Sequence, residues 1–103
     1  MAESKLPRNF EEYRSLFPEM FAAWEEAAKH ARASGPLDEK TTHLVQLAAA
    51  VALRSEGSVH SHARRALEAG ASREEILQVV NLTASTAGFP AAAAAFSWVR
   101  ELL

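Results

Sequence analysis

Two serines and a histidine near the middle of the chain have the spacing of a small chemical site. Ser55, Ser58 and His62 stand in the segment SEGSVHSH, at intervals of three and four residues. On a helix these intervals place the three side chains along one face, near the positive end of the helix dipole. That arrangement is typical of a nucleophile or redox site. The chain contains no cysteine, so thiolate chemistry, disulfides and cysteine metal sites are all excluded.

His62 is the residue of this set best suited to proton transfer. It shares a predicted helical stripe with apolar residues before and after it, so its imidazole is expected to face the core. A histidine in such a place is either structural, held by one hydrogen bond, or a group that transfers protons near neutral pH. Ser55 and Ser58 fit helix N-capping as well as they fit a site. His60 is rotated by about 200° from His62, which is a poor arrangement for two ligands to one metal.

Length and charge narrow the classes of protein. A chain of 103 residues with 11 basic and 13 acidic side chains is long enough for one compact domain and carries a formal charge of -2. No nucleic-acid partner and no membrane partner is therefore expected. The N-terminal segment MAESKLPRNFEEYRSLF has no apolar signal core, and the longest apolar run is far shorter than the roughly 20 residues that span a bilayer. These features predict a soluble, cytoplasmic protein.

The pattern of apolar residues predicts an all-α fold with about six helices. We expect a single domain over residues 1–103, in which residues 1–19 form an N-terminal extension with a short helix and residues 20–103 form the core. The final helix is expected to run to the end of the chain. The predicted boundaries come from capping boxes at Asn9 with Glu12 and at Ser72 with Glu75, an N-cap at Asp38, first-turn prolines at Pro18 and Pro90, and terminating glycines at Gly70 and Gly88.

The third predicted helix has an unusual composition. Its second half, LVQLAAAVAL, is apolar on all sides apart from Gln46. A domain of this size buries only about 65% of its unfolded surface, so such a helix is expected to be central or to lie in a subunit interface. His43, at the polar end of the same helix, is expected to be solvated.

The segment from Leu37 to Phe96 resembles the carboxymuconolactone decarboxylase family, which includes the alkylhydroperoxidase D proteins. The resemblance covers roughly residues 20–103, and its strongest elements are HARRALEAGASREEIL and the apolar helix before it. It implies an AhpD-like helical fold with an antiparallel central helix pair. It also implies a homo-oligomer, a trimer or hexamer, formed through the central helices.

The resemblance to the peroxidase branch assigns four positions. The family's glutamate falls on His43, its two cysteines on Ser55 and Ser58, and its histidine on His62, so one of the four is kept. Peroxide reduction needs an attacking thiolate and a resolving thiol, which serine hydroxyls cannot replace. Thiol peroxidase activity is therefore not expected. Replacement of cysteines by serine would give the same pattern, but the histidine at position 43 favours natural divergence.

The decarboxylase branch lacks the cysteine pair and resembles this chain at the histidine and at FPAA, residues Phe89 to Ala92. Its chemistry implies a group that holds the substrate carboxylate and an acid that protonates the resulting carbanion or dienolate. Here His62 could supply the proton, while His43, or an inward-turned Arg64, could hold the anion. No cofactor is expected.

Three functions remain open from the sequence. The first is a lyase-like enzyme that acts on a small organic acid or lactone, with His62, His43, Ser58 and Ser55 as catalytic candidates. The second is an oligomeric binding or assembly module of the same fold without catalysis. The third is a metal site formed by His43 and His62 with water or a serine hydroxyl.

Overall fold

The computed structural model describes residues 8–103, and its regular structure is helical throughout that range. This confirms the predicted all-α fold with six helices. Contacts divide the chain into two compact units, one ending at Pro36 and the other spanning Leu37–Leu103. The predicted start of the core, residue 20, falls inside the second helix, and the first residues of the predicted extension lie outside the described range. The helices are α1 (Arg8–Leu16), α2 (Pro18–Arg32), α3 (Glu39–Leu53), α4 (Glu56–Glu68), α5 (Arg73–Ala87) and α6 (Phe89–Val99).

The first unit is a pair of helices, α1 and α2, joined at Phe17. Pro18 occupies the first turn of α2, as predicted, because its missing N–H has no partner to lose there. The capping box predicted at Asn9 and Glu12 is wrong: Asn9 already lies inside α1, and Glu12 pairs with Arg8 at 3.5 Å. Within the described part of this unit, Phe21 is the buried residue, in an aromatic cluster with its neighbours on α1 and α2.

The second unit begins at the predicted N-cap of α3. The carboxylate of Asp38 accepts a hydrogen bond from the backbone N–H of Thr41 at 2.8 Å. Hydrogen bonding to Thr41 lowers the pKa of Asp38 below its usual value. An ionised carboxylate at this place stabilises the start of α3 because it satisfies a backbone donor that has no partner within the helix.

The turn between α3 and α4 is short, and the N–H groups of both its residues are hydrogen-bonded. Arg54 adopts a left-handed conformation, with φ of 56°. Its N–H donates to the carbonyl of Val51, and the N–H of Ser55 donates to the carbonyl of Ala50, both at 3.0 Å. This is a Schellman motif, which ends α3 and reverses the chain directly into α4. The result is the antiparallel helix pair that the family resemblance implies.

The turn between α4 and α5 repeats the same motif with a glycine. Gly70 has φ of 105°, and its N–H donates to the carbonyl of Leu67, while the N–H of Ala71 donates to that of Ala66. The capping box predicted at Ser72 and Glu75 is confirmed, with both reciprocal hydrogen bonds present. The same type of turn therefore connects α3 to α4 and α4 to α5, and the three helices pack as neighbours.

The core of the second unit is built from aliphatic side chains and alanines of α3 to α6. Alanine at the contact between two helices allows their axes to approach to about 8 Å. Polar side chains on the two helices beside such a contact therefore also lie close together. Lys40 on α3 reaches Glu75 on α5, Nζ to Oε2 3.1 Å, and ties the two helices at the edge of this core. The largest fully buried side chains are Leu47, Val51, Val59, Ile76 and Val99, and the buried alanines include Ala50, Ala63, Ala66, Ala92 and Ala95.

Two helices of this unit leave apolar side chains uncovered. On α3, Val45 is 54% and Leu53 78% exposed, and on α6 Phe89 is 73% exposed.

α6 ends at Val99, followed by a turn, so the prediction that it runs to the end of the chain is wrong. Over residues 8–103, no helix has both the length and the apolar character needed to cross a bilayer.

Candidate active site

The antiparallel pair α3 and α4 brings two histidines into direct contact. His43 lies in the second turn of α3 and His62 in the second turn of α4. Their Nδ1 atoms are 3.2 Å apart, and the two rings are inclined at 34° with centroids 5.5 Å apart. The distance is that of a hydrogen bond between two imidazoles. Since one nitrogen must donate and the other accept, the contact fixes the orientation of both rings.

The two rings differ in their access to solvent. His43 is 3% exposed, whereas His62 is half-buried. The expectation that His43 is solvated is therefore wrong. Its turn of α3 faces inward, next to the buried Thr42 and one turn before the fully buried Leu47. A buried imidazole requires a polar partner, and His62 provides one.

His62 stands on the apolar side of α4, among fully buried neighbours. Val59, Ala63 and Ala66 are each 0% exposed. These residues form the stripe that the sequence pattern predicted for this helix. They fix the position of the helix against α3 and exclude water from the inner side of the imidazole.

The two serines lie at the start of α4. Ser55 is at the N-cap position, as predicted, yet its hydroxyl makes no capping hydrogen bond. Ser58 is half-buried and precedes His62 by four residues, so the two side chains lie on the same face of the helix. The structure thus places Ser58 one turn from His62.

Two further polar groups are buried near these helices and were not selected from the sequence. The Oε1 atom of Gln46, one turn after His43, is buried and has no hydrogen-bond partner among residues 8–103. The sequence feature that could have indicated it is the position of Gln46 as the single polar residue within the apolar run LVQLAAAVAL. The Nε2 atom of His60 is buried too, and its nearest carboxylate oxygen, on Glu101, is 3.7 Å away, beyond hydrogen-bond distance.

Two expectations about charge and metal gain no support from this geometry. Arg64 extends along its own helix toward Glu68, with Nε 3.9 Å from Oε2, so it is not placed to hold a substrate anion beside His62. Within residues 8–103, no group of three or more histidine, aspartate or glutamate side chains is gathered as a metal site would require. The histidine pair alone offers two nitrogen ligands.

Comparison with known proteins agrees with the helical architecture. The model of the carboxymuconolactone decarboxylase family matches residues 18–101. The chain belongs to the carboxymuconolactone decarboxylase family. No curated protein matches it.

A solved structure shares the fold of this family member. It is the crystal structure of apo-lpg0406, a carboxymuconolactone decarboxylase family protein from Legionella pneumophila. The two chains are 29% identical, and the match covers 90% of this chain and 86% of the other with a TM-score of 0.78. The AhpD-like fold expected for this carboxymuconolactone decarboxylase family protein is thereby confirmed.

Proposed function

We propose that this carboxymuconolactone decarboxylase family protein performs acid/base chemistry on a small organic acid or lactone, with His62 as the proton donor. The observation that supports the proposal is the 3.2 Å contact between the Nδ1 atoms of His62 and the buried His43. A proton-transfer residue needs a fixed ring and a nitrogen directed at the substrate. The contact holds the ring of His62 at Nδ1, and the proposal assigns the proton transfer to the other ring nitrogen, Nε2.

The chemistry proposed is decarboxylation of a carboxylated lactone or a related acid. The bond between the carboxylate carbon and the substrate skeleton breaks, carbon dioxide leaves, and the bonding electron pair remains as a dienolate. Imidazolium Nε2–H of His62 then protonates that dienolate at carbon, and solvent returns a proton to His62. The hydroxyl of Ser58, one turn before His62, is proposed to donate a hydrogen bond to the substrate, and Ser55 lies at the helix N-terminus that favours an anion. No cysteine takes part.

The test is the release of carbon dioxide from a panel of carboxylated lactones, carboxymuconolactone among them, and 3-oxo acids. We expect turnover by the wild-type protein and a loss of at least about 100-fold in H62Q, since general acid catalysis contributes this much. H60Q is the matched control because it removes the neighbouring histidine of the same helix and should retain activity. A wild-type protein no faster than H62Q on every substrate would contradict the proposal.

A second candidate, an assembly module without catalysis, is favoured by the uncovered apolar side chains. Val45, Ala49 and Leu53 fall on one stripe of α3 and are all exposed. We propose that this α3 stripe packs against further copies of the chain to form a homo-oligomer, a trimer or hexamer. Assembly is compatible with catalysis, so the decisive measurement is whether the H62Q variant assembles normally while losing turnover. If neither protein turns over any substrate, the assembly function alone remains.

A further inference from the structure

We infer that His43 is a neutral positioning residue that accepts a hydrogen bond from His62 and thereby selects the tautomer in which Nε2 of His62 performs the chemistry. The inference deepens the proposed function and rests on it for its catalytic meaning. It replaces the expectation that His43 binds the substrate anion. Its structural content, the tautomer of each ring, is measured without any substrate.

The first step is the placement of one hydrogen between two nitrogens. At 3.2 Å, two Nδ1 atoms without a proton would direct lone pairs at each other, and two Nδ1–H groups would place two hydrogens in the same space. One ring must therefore carry its proton on Nδ1 and the other must not. When both rings are neutral, one is the Nδ1–H tautomer and the other the Nε2–H tautomer.

The second step decides which ring donates. A general acid must become an imidazolium during its cycle, and a charged ring is costly where water is excluded. His43 is 3% exposed, whereas His62 is half-buried, and on this difference in exposure we assign the positive charge to His62. The imidazolium of His62 then donates from Nδ1, and the neutral ring of His43 accepts at Nδ1 while keeping its own proton on Nε2.

The third step follows the proton through a turnover. Nε2 of His62 gives its proton to the substrate, and Nδ1 keeps the hydrogen bonded to His43, so the ring ends as the neutral Nδ1–H tautomer. Solvent returns a proton to Nε2 and restores the imidazolium. The hydrogen bond to His43 is present in both states, which means that His43 holds the ring and its tautomer without changing its own protonation.

The experiment is nitrogen-15 NMR of the full chain labelled at histidine, recorded at a pH where the rings are neutral. The chain has four histidines, so single H→Q variants assign every resonance. We expect His62 as the Nδ1–H tautomer, His43 as the Nε2–H tautomer, and a scalar coupling between the two Nδ1 nuclei. His30, whose side chain is 78% exposed, provides the reference for a solvated ring. Detection of His62 as the Nε2–H tautomer would overturn the inference.

Two substitutions at position 43 separate the hydrogen bond from packing. Asparagine places its amide oxygen at the same number of bonds from Cα as the Nδ1 of histidine, so H43N keeps an acceptor for His62. H43L fills the space without one. We expect His62 to remain the Nδ1–H tautomer in H43N and to lose that preference in H43L, with circular dichroism confirming that both variants fold.

Enzyme activity provides a second, independent test of the contact between His43 and His62. We expect kcat to fall about 10- to 100-fold in H43L and to recover most of this loss in H43N. A loss of this size is typical when a residue that orients a metal-binding histidine is replaced, and His43 would orient His62 in the same way. H62N preserves the contact with His43 but lacks the outer nitrogen, and should lose turnover. Absence of the tautomer signature overturns this inference even if the enzyme is active. The signature in a protein without turnover supports it and overturns the proposed function instead.

Discussion

At the residue scale, the contact between His43 and His62 explains how a histidine can occupy the inner face of an apolar helix. A polar ring atom buried without a partner destabilises a fold by about 1 to 3 kcal/mol, and the Nδ1 atoms of these two rings satisfy each other. His43 is buried to 3% exposure and the contact is 3.2 Å long. The same hydrogen bond that makes burial tolerable also fixes the ring for proton transfer.

Gln46 presents the opposite case, a buried acceptor left without a partner. Its Oε1 atom lies one turn after His43 and makes no hydrogen bond within the part of the chain that the structure describes. Substitution by methionine, which has nearly the same shape and no such acceptor, should raise the free energy of unfolding by about 1 kcal/mol. Urea denaturation at fixed protomer concentration measures the change.

The matched control for this prediction is Gln78, which is exposed on α5. The same change to methionine at that position should alter stability by less than about 0.5 kcal/mol, since exposed side chains contribute little. A Q46M variant that is clearly less stable than the wild type would show that Gln46 has a partner in solution.

At the element scale, two helices end in the same motif with different residues at its left-handed position. Arg54 has φ of 56° and Gly70 has φ of 105°. A residue with a Cβ atom pays about 1 to 2 kcal/mol for this conformation, and glycine does not. Replacing Arg54 by glycine should therefore raise the free energy of unfolding by about 0.5 kcal/mol, after the greater freedom of glycine in the unfolded chain is subtracted.

The reciprocal change at Gly70 should act in the opposite direction. Among the described residues other than its two chain neighbours, no atom lies within 4 Å of the position that a Cβ would take at Gly70, so G70A meets no steric obstacle and its effect isolates the backbone strain. We expect a loss of about 1 to 2 kcal/mol in urea denaturation. If R54G destabilises and G70A is neutral, the two turns do not share the motif in solution.

Glu75 links two elements through one carboxylate. It accepts hydrogen bonds from the backbone of Ser72 at 2.9 Å and from Lys40 at 3.1 Å. The bond from the Ser72 backbone, followed by that from Lys40, lowers the pKa of Glu75. A carboxyl with a lowered folded-state pKa contributes stability that is present above its unfolded pKa and is lost as pH falls through the folded value.

The corresponding pH prediction concerns the variant E75Q. Its melting temperature should lie below that of the wild type at pH 7, and the difference should shrink as pH falls below about 4.3, where the unfolded carboxyl is half protonated. Thermal melts from pH 7 to pH 2.5 measure it. E74Q, a change at the exposed neighbour, is the control and should show a smaller difference. A difference between E75Q and the wild type that grows on acidification would have the wrong sign.

The sequence predicted the elements better than it predicted the site. Capping at Asp38 and Ser72 depends on local hydrogen bonds, which a pattern of residue types specifies. The burial of His43 depends on which turn of α3 faces α4, and tertiary packing decides this. The polar neighbours Thr41 and Thr42 give no sign in the sequence that this turn is buried. The capping box at Asn9 failed for a local reason, because Arg8 and Asn9 already belong to α1, two residues before the predicted first helical residue.

At the scale of the whole molecule, the second unit buries one side of α3 and leaves the other uncovered. Leu47 and Val51 are 0% exposed, while Val45 is 54% and Leu53 78% exposed. The sequence pattern, apolar on all sides of this helix, matches a helix that packs inward on one side and against another subunit on the other. The expectation of a trimer or hexamer therefore concerns the α3 stripe.

Substitution of Val45 by glutamate tests that expectation. We predict that light scattering coupled to size exclusion gives a trimer or hexamer for the wild type at micromolar concentration. In V45E a charge would have to be buried in each interface, so the mass should shift toward the monomer. The control, Q78E, adds the same charge on exposed α5 and should leave the mass unchanged. Circular dichroism separates dissociation from unfolding, because Val45 is exposed within one chain and its replacement should preserve the helices. A wild-type monomer, or a V45E protein that keeps the full mass, would show that the α3 stripe is not the interface.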